Sequence, residues 1–357
     1  MASSEKINVA VVGLGWVANN RHIPVIMRHT QLNLYGVVDK RPERIQRLKE
    51  KYPWLQSSVS EEGEMPWGEN VQAVVIATDP LNHYALAKKI LQTGKHVLME
   101  KPLTMRPDES IQLQDIATKT GVNCCVVHNF QFARSTMKLK SMLRENQLGE
   151  IQSIEAVQLS NPRRRLPTWY EQLPFGLFYD ESPHMFYMLE ALCGQEIQHI
   201  SSTVLRKAGQ NTPLNVTGYY AAGNIPIRLS MNFSASLSEW HIAILGTKVV
   251  CIADIFRDIL VTMPNDDVHR ARDILASSGS FIGTHLWGFL KSGILLTQGK
   301  LFYGSDVVWD KFIDGITGKN PASEISTARG ARVVKLQHEI MQKSAVFELP
   351  GNENPQP

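Results

Sequence analysis

The chain has 357 residues, enough for two domains of ordinary size. Hydrophobic residues make up 43% and charged residues 20%, which provides for a sizeable core and excludes wholesale disorder. The net charge of +3 is too small to imply a nucleic-acid partner, and no apolar run approaches the ~18 residues of a membrane span. The N-terminal stretch lacks the charged region, long apolar core and cleavage site of a signal peptide. The four cysteines, Cys124, Cys125, Cys193 and Cys251, form no C-x-x-C pair and no zinc spacing. They read as buried reduced thiols, and the expected location is the cytoplasm.

The first third alternates strands with helices. Ile7–Val12 is a continuous apolar run, as a strand buried on both faces requires. A helix is predicted over residues 17–28, a second strand over 34–38 and a charged helix over 42–52. Residues 73–77 form a third buried run, followed by a helix over 84–92 with Gly94 placed to cap it. A short strand over 97–99, a helix over 108–120 ending at Gly121, and an apolar run over 122–127 complete the pattern. Such alternation means βαβ units and a parallel sheet. After a helix over 135–145 the pattern changes to long strands with few helices between them: Ile151–Leu159, 197–206, 216–222, 227–234, 241–245, 249–253 and 259–263. Short turns at Gly223-Asn224 and Gly246-Thr247 mark a mostly antiparallel sheet. Helices return over 306–315 and 328–343, and residues 351–357 are expected to fray. The expected architecture is an α/β dinucleotide-binding domain over 1–127, a doubly wound Rossmann sheet, and an α+β domain over 128–350 for substrate and oligomer contacts.

Gly13-Leu14-Gly15-Trp16-Val17-Ala18 is a G-x-G-x-x-A element that directly follows a buried strand and opens a helix. The first glycine permits the tight turn, the second lets backbone approach a pyrophosphate, and Ala18 keeps helix and sheet close. The amides of Trp16 and Val17 then face the phosphates from the helix N-terminus. Asp39 ends the second strand, where a carboxylate accepts the ribose hydroxyls of NAD. Lys40 and Arg41 beside it would tolerate the 2′-phosphate of NADP, so NADP stays open.

Gly94-Lys95-His96-Val97-Leu98-Met99-Glu100-Lys101-Pro102 resembles the G-K-H-V-x-x-E-K-P signature of the Gfo/Idh/MocA oxidoreductases, the glucose–fructose oxidoreductase and inositol dehydrogenase family. Residues 73–78, ending at Thr78, and the pair Asn82-His83 are similar to the same pattern. Residues 176–184 resemble its second signature, D-x-x-x-H, at Asp180 and His184. The resemblance implies that Lys101 contacts the reacting oxygen and the nicotinamide end, and that His184 is the general acid/base. It implies that Asp180 holds substrate or orients the histidine, and that Glu100 organises the cofactor loop. The chemistry wants these types independently. Histidine titrates near neutrality, and an ammonium stabilises a developing alkoxide. Ser182-Pro183 reads as an N-cap and first helical residue, which puts His184 in a first turn and Asp180 just outside the helix. Glu181, Ser182 and Pro183 depart from the small residues usual there.

Weaker signals remain. Arg163-Arg164-Arg165 points either to an anionic sugar, through bidentate arginine contacts, or to a solvated turn. Trp169 and Tyr170 are candidates for stacking on a sugar face, or for core. Thr78, Asn82, His83, His128 and Asn129 lie at strand ends, where α/β proteins bind ligands. His22 reads as structural. Residues 281–303 carry aromatics whose glycines are expected to interrupt any long helix, and they read as a lid or an oligomer contact. No metal cluster is expected. The leading expectation is a sugar or cyclitol dehydrogenase using NAD, working as a homodimer or homotetramer built through the second sheet. A cofactor-binding regulator and a redox-assisted glycoside-cleaving enzyme are the alternatives.

Overall fold

A computed structural model describes residues 6–350, so the tail over 351–357 lies outside the described residues. The chain divides into two compact units. The first runs to Asn129 and also takes Ser305–Lys335; the second holds Phe130–Gly304 and the residues from Leu336 onward.

The first unit is built on β1 (Ile7–Val12), β2 (Leu32–Asp39), β3 (Gln56–Val59), β4 (Ala73–Ile76), β5 (His96–Met99) and β6 (Cys124–Val126). All run parallel, in the order β3-β2-β1-β4-β5-β6, the doubly wound arrangement expected. The helices between them are α1 (Ile23–Arg28), α2 (Pro42–Lys51), α3 (His83–Gln92) and α4 (Pro107–Thr120). A π turn over Ala18–His22 precedes α1. Proline opens α2 and α4 in the first turn, where its missing N–H costs nothing. Gly121 closes α4 in the left-handed conformation, at φ 70°. In this sheet the strand without a counterpart in the sequence pattern is β3. Its Gln-Ser-Ser-Val is polar because it is the sheet's edge and no face of it is fully buried.

The second unit begins with α5 (Arg134–Arg144), β7 (Ile151–Leu159) and α6 (Leu177–Cys193). There follow β8 (Gln198–Lys207), β9 (Asn215–Ala222), β10 (Ile225–Asn232), β11 (Glu239–Gly246), β12 (Val249–Asp254) and β13 (Ile259–Pro264). A long helix, α7 (Ala271–Thr297), completes this stretch. The chain then forms α8 (Ser305–Ile316) in the first unit, α9 (Thr327–Lys343) and β14 (Ala345–Leu349). The eight-stranded sheet has the order β13-β12-β11-β7-β10-β9-β8-β14 and is antiparallel except for β7–β10 and β8–β14.

Three expectations need correction. The domain boundary at 127/128 neglects Ser305–Lys335, which returns to the first unit because its apolar face belongs to that core. Trp309 and Phe312 are buried, the Trp309 ring stands edge-on to His22 at 6.0 Å, and Val334 joins the core with Val126 and Leu103. Gly283, Gly288 and Gly293 do not interrupt a helix: α7 is continuous for 27 residues, to Thr297, and Gly288 is required because a Cβ there would lie 2.7 Å from Ile259. Pro183 does not begin α6, which starts at Leu177 after Gly176 and carries Pro183 in its interior. Proline has no N–H, so the carbonyl of Tyr179 loses its helical donor. Gln337 on α9 supplies one instead: its Nε2 donates to Tyr179 O at 2.8 Å and to Ser182 Oγ at 2.9 Å. Both residues belong to the second unit.

Candidate active site residues

The candidate residues divide between the two units. In the first, the Gly13 amide donates to Val38 O at 2.8 Å and the residue sits at φ +90°. A Cβ at Gly13 would lie 2.7 Å from Ala77 O and 2.8 Å from Thr78 N, so only glycine brings this turn against the end of β4. Gly15 is open, with Ala77 O at 3.9 Å from a built Cβ. Asn19 Nδ2 donates to Leu14 O and Gly15 O, both at 2.9 Å, and holds the turn from the helical side. Trp16 is 46% exposed, with the Arg21 guanidinium over its ring, and Trp16 and Val17 begin the helical run.

Asp39 is buried at the end of β2 and is tied to the same turn. Its Oδ2 accepts the Leu14 amide at 2.6 Å, and its Oδ1 accepts the Arg41 amide at 2.8 Å. The cation on its carboxylate is Arg44, at 3.2 Å, which the sequence pattern does not single out. Lys40 pairs instead with Glu61 at 2.9 Å. A glycine-only cradle beside a carboxylate fits a dinucleotide: backbone for the pyrophosphate and Asp39 for the ribose.

The loop of Glu100, Lys101 and Pro102 is pinned from both sides. Glu100 Oε1 pairs with His22 Nε2 at 2.9 Å, and Oε2 accepts the Lys101 amide at 3.3 Å. Burial opposes the charge on Glu100, but the hydrogen bond and charge of His22, with Lys101, hold its carboxyl below the usual range. Pro102 O accepts the Nδ1–H of His83 at 2.8 Å, since a carbonyl has no proton to give. His83 is wholly buried, and that burial pushes its pKa down. His83 and His22 therefore support the loop that carries Lys101, with His22 structural as read. Asn82 Nδ2 donates to the Asp79 carboxylate at 2.9 Å, and Thr78 Oγ1 donates to Asp79 O at 3.2 Å. Asn129 is half-buried. His128 is buried and pushed down to about 3 by burial and by Arg329 and Arg332, two cations that no motif announced.

In the second unit, Asp180 and His184 are one turn apart on α6, so the D-x-x-x-H spacing puts both on one helix face. Both are nearly buried. His184 Nδ1 lies 2.8 Å from the Tyr187 hydroxyl, whose oxygen also accepts the Phe130 amide at 3.1 Å. The imidazole is walled by the rings of Phe130 at 5.0 Å and Trp240 at 5.2 Å. Glu181 is buried and accepts from Gln158 Nε2 and Ser160 Oγ, each at 2.6 Å. Its other oxygen is paired with the Arg164 guanidinium. Within the arginine run Arg164 is half-buried, while Arg163 and Arg165 are exposed. Tyr170 donates to Glu171 at 3.0 Å, and Trp169 and Tyr170 are half-buried. Among the described residues no group of three or more His, Cys, Asp or Glu is arranged to hold a metal, and no helix is long and apolar enough to cross a membrane.

Comparison with known proteins identifies the family and the fold. A family model described as the GFO/IDH/MocA oxidoreductase family, NAD-binding Rossmann fold, matches residues 7–128, and a GFO/IDH/MocA C-terminal domain model matches 136–250. An uncharacterised oxidoreductase of Synechocystis is 31% identical over 49% of this chain and 48% of its own length. The myo-inositol 2-dehydrogenase of Thermotoga maritima is 23% identical over 74% of this chain and 80% of that protein. The chain spans about half the length of several curated relatives it matches. The crystal structure of the WlbA dehydrogenase of Bordetella pertussis, in complex with NADH and UDP-GlcNAcA, superposes with a TM-score of 0.76. It covers 96% of each chain at 17% identity, a likeness of fold.

Proposed function

The chain belongs to the GFO/IDH/MocA oxidoreductase family, and on that premise we propose that it moves hydride between a nicotinamide dinucleotide and a hydroxyl or keto carbon of a sugar, sugar derivative or cyclitol. The dinucleotide, NAD with NADP as the alternative, supplies or accepts the hydride. Gly13, Gly15 and Asp39 hold its phosphates and ribose, and Arg44 offers the cation that a 2′-phosphate needs.

Lys101 stabilises negative charge on the reacting oxygen, and its ammonium works best where its backbone does not wander. The observation that carries the reading is the double anchorage of its loop, by His22 on Glu100 and by His83 on Pro102. No comparable effort is spent on a solvated surface lysine. His184 carries the proton. In its charged form both ring nitrogens bear hydrogen, so Nδ1–H donates to Tyr187 and Nε2–H is the proton that moves. Loss of that proton leaves Nε2 bare to take one from an alcohol while Nδ1–H stays on Tyr187. Asp180, one turn away on the same helix, orients a substrate hydroxyl.

Nicotinamide absorbance tests the reading, with polyols, aldoses, sugar phosphates and nucleotide sugars in both directions and with both cofactors. Turnover with one class is expected to fall about 100-fold or more in Lys101→Ala, with cofactor affinity kept. Tight cofactor binding without turnover on any class would move the assignment to a cofactor-binding regulator.

A further inference from the structure

The helix α7 has its sides reversed. The face turned to the protein is small and polar. Ser280 Oγ donates to Thr262 O at 2.7 Å and Thr284 Oγ1 accepts the Thr262 amide at 3.3 Å, so the helix satisfies the free edge of β13. Further along, Ser292 Oγ accepts from Arg134 Nη2 at 2.7 Å, and Gly288 rests against Ile259. The face turned outward is apolar. Ten large hydrophobic side chains of α7 are exposed, and Trp287 and Leu275 reach 71%. At about 100 Å² apiece they present on the order of 1,000 Å² per protomer, more than the ~800 Å² each partner gives to a standard interface.

We propose that this face is the contact through which two copies of the chain associate, α7 against α7. Area is the first argument, since even two-thirds of this surface covered on each of two copies would bury about 1,300 Å², within the range of a specific protein–protein contact. Charge is the second. A two-fold contact brings each residue near its own copies, so fixed charges repel. Between Ile274 and Thr297 the helix carries one lysine, Lys291, and no acid. A helix lying on anionic lipid needs a row of cations along its flank, and one lysine does not make a row. Shape is the third. A Cβ at Gly279 or Gly283 would meet nothing within 4 Å, so the outward face is notched between Leu275, Ile282 and Leu286. A partner's side chain can seat there, ridge into groove.

Light scattering and sedimentation of the full chain across a concentration series test this. The parent is expected at a multiple of its monomer mass. Ile282→Glu with Trp287→Glu, both sites more than 60% exposed and so indifferent to the monomer's fold, is expected to cut that mass two-fold or more with the circular dichroism unchanged. Tyr219→Glu, on an exposed position of β9, is the control for association through the sheet. A parent that stays monomeric overturns the proposal. So does a double variant that keeps the parent's mass. A monomeric parent that floats with phosphatidylserine vesicles through the same two residues would assign the face to a membrane instead.

Discussion

Two helices of the second unit, α6 and α7, each have the composition that the other's surroundings call for. Among its 17 residues α6 carries Asp180, Glu181, His184 and Glu190, yet 15 of the 17 are buried. The more apolar α7 has only Ser292 buried among 27. Burying polar groups without partners costs several kcal/mol each, so α6 can be buried only because partners are built around it. Gln158, Ser160 and Arg164 meet Glu181, and Gln337 meets Tyr179 O. No packing gain within one chain explains the outward face of α7. Where a helix defies its composition, the explanation lies outside it: in side chains supplied by distant elements for α6 and, on the proposed association, in a second copy for α7.

The largest effect should come from removing the centre of the α6 network. In Glu181→Ala, Gln158, Ser160 and Arg164 all lose their acceptor, two of them buried. A loss of about 3 kcal/mol in unfolding free energy is expected, discounted for the part of Arg164 that water still reaches. Chemical denaturation measures it. A change below about 1 kcal/mol would show that the network is incidental and that α6 is buried for its apolar residues alone.

A buried polar group can also be tolerated by giving up its charge, and His128 in the first unit takes that route. Its folded pKa is pushed down to about 3 by burial and by Arg329 and Arg332, against ~6.5 when unfolded. Above ~6.5 neither state is charged and the folded protein has its full stability. Below it the unfolded chain binds a proton that the folded one refuses, so stability falls as pH falls towards 3. The loss between pH 7 and 5 from this group is about 2 kcal/mol. Unfolding curves at both values should show a drop smaller by that amount in His128→Asn. Equal drops would mean that His128 is protonated in the folded state. The neutral His83 adds to the fall in the same direction and is common to both proteins.

What the sequence discloses depends on whether the determining contact is local. The Gly13 turn is legible because glycines, strand and Asp39 lie within one βαβ unit, and the tight approach of Gly13 to Ala77 demands glycine whatever surrounds it. The Lys101 loop is legible through its E-K-P pattern, but its supports are not, since His22 lies 78 residues from Glu100. Arg44 is hidden for another reason: an arginine on a charged helix reads as solvated until β2 places Asp39 beside it. The start of α6 is misread because Ser182-Pro183 copies a helix opening, and what permits proline inside the helix is Gln337, 155 residues from Ser182. Strands β3 and β14 escape for lack of a buried face.

The Gln337 contact also gives the smallest and sharpest test of the comparison. Gln337→Leu fills similar volume but takes the donor from Tyr179 O and Ser182 Oγ, so a loss of about 1–2 kcal/mol is expected. Pro183→Ala restores an N–H at the position from which the Tyr179 carbonyl is normally satisfied, four residues on. With that donor in place the carbonyl no longer depends on α9. The Gln337→Leu penalty should therefore shrink by about half in the Pro183→Ala background, leaving the Ser182 contact as the remainder. Thermal or denaturant unfolding of the two single variants and the double variant supplies the coupling energy. Strict additivity would mean that the Gln337 side chain only fills space beside α6. Coupling would show that this helix is held in its buried position by a polar partner answering a specific vacancy in its backbone.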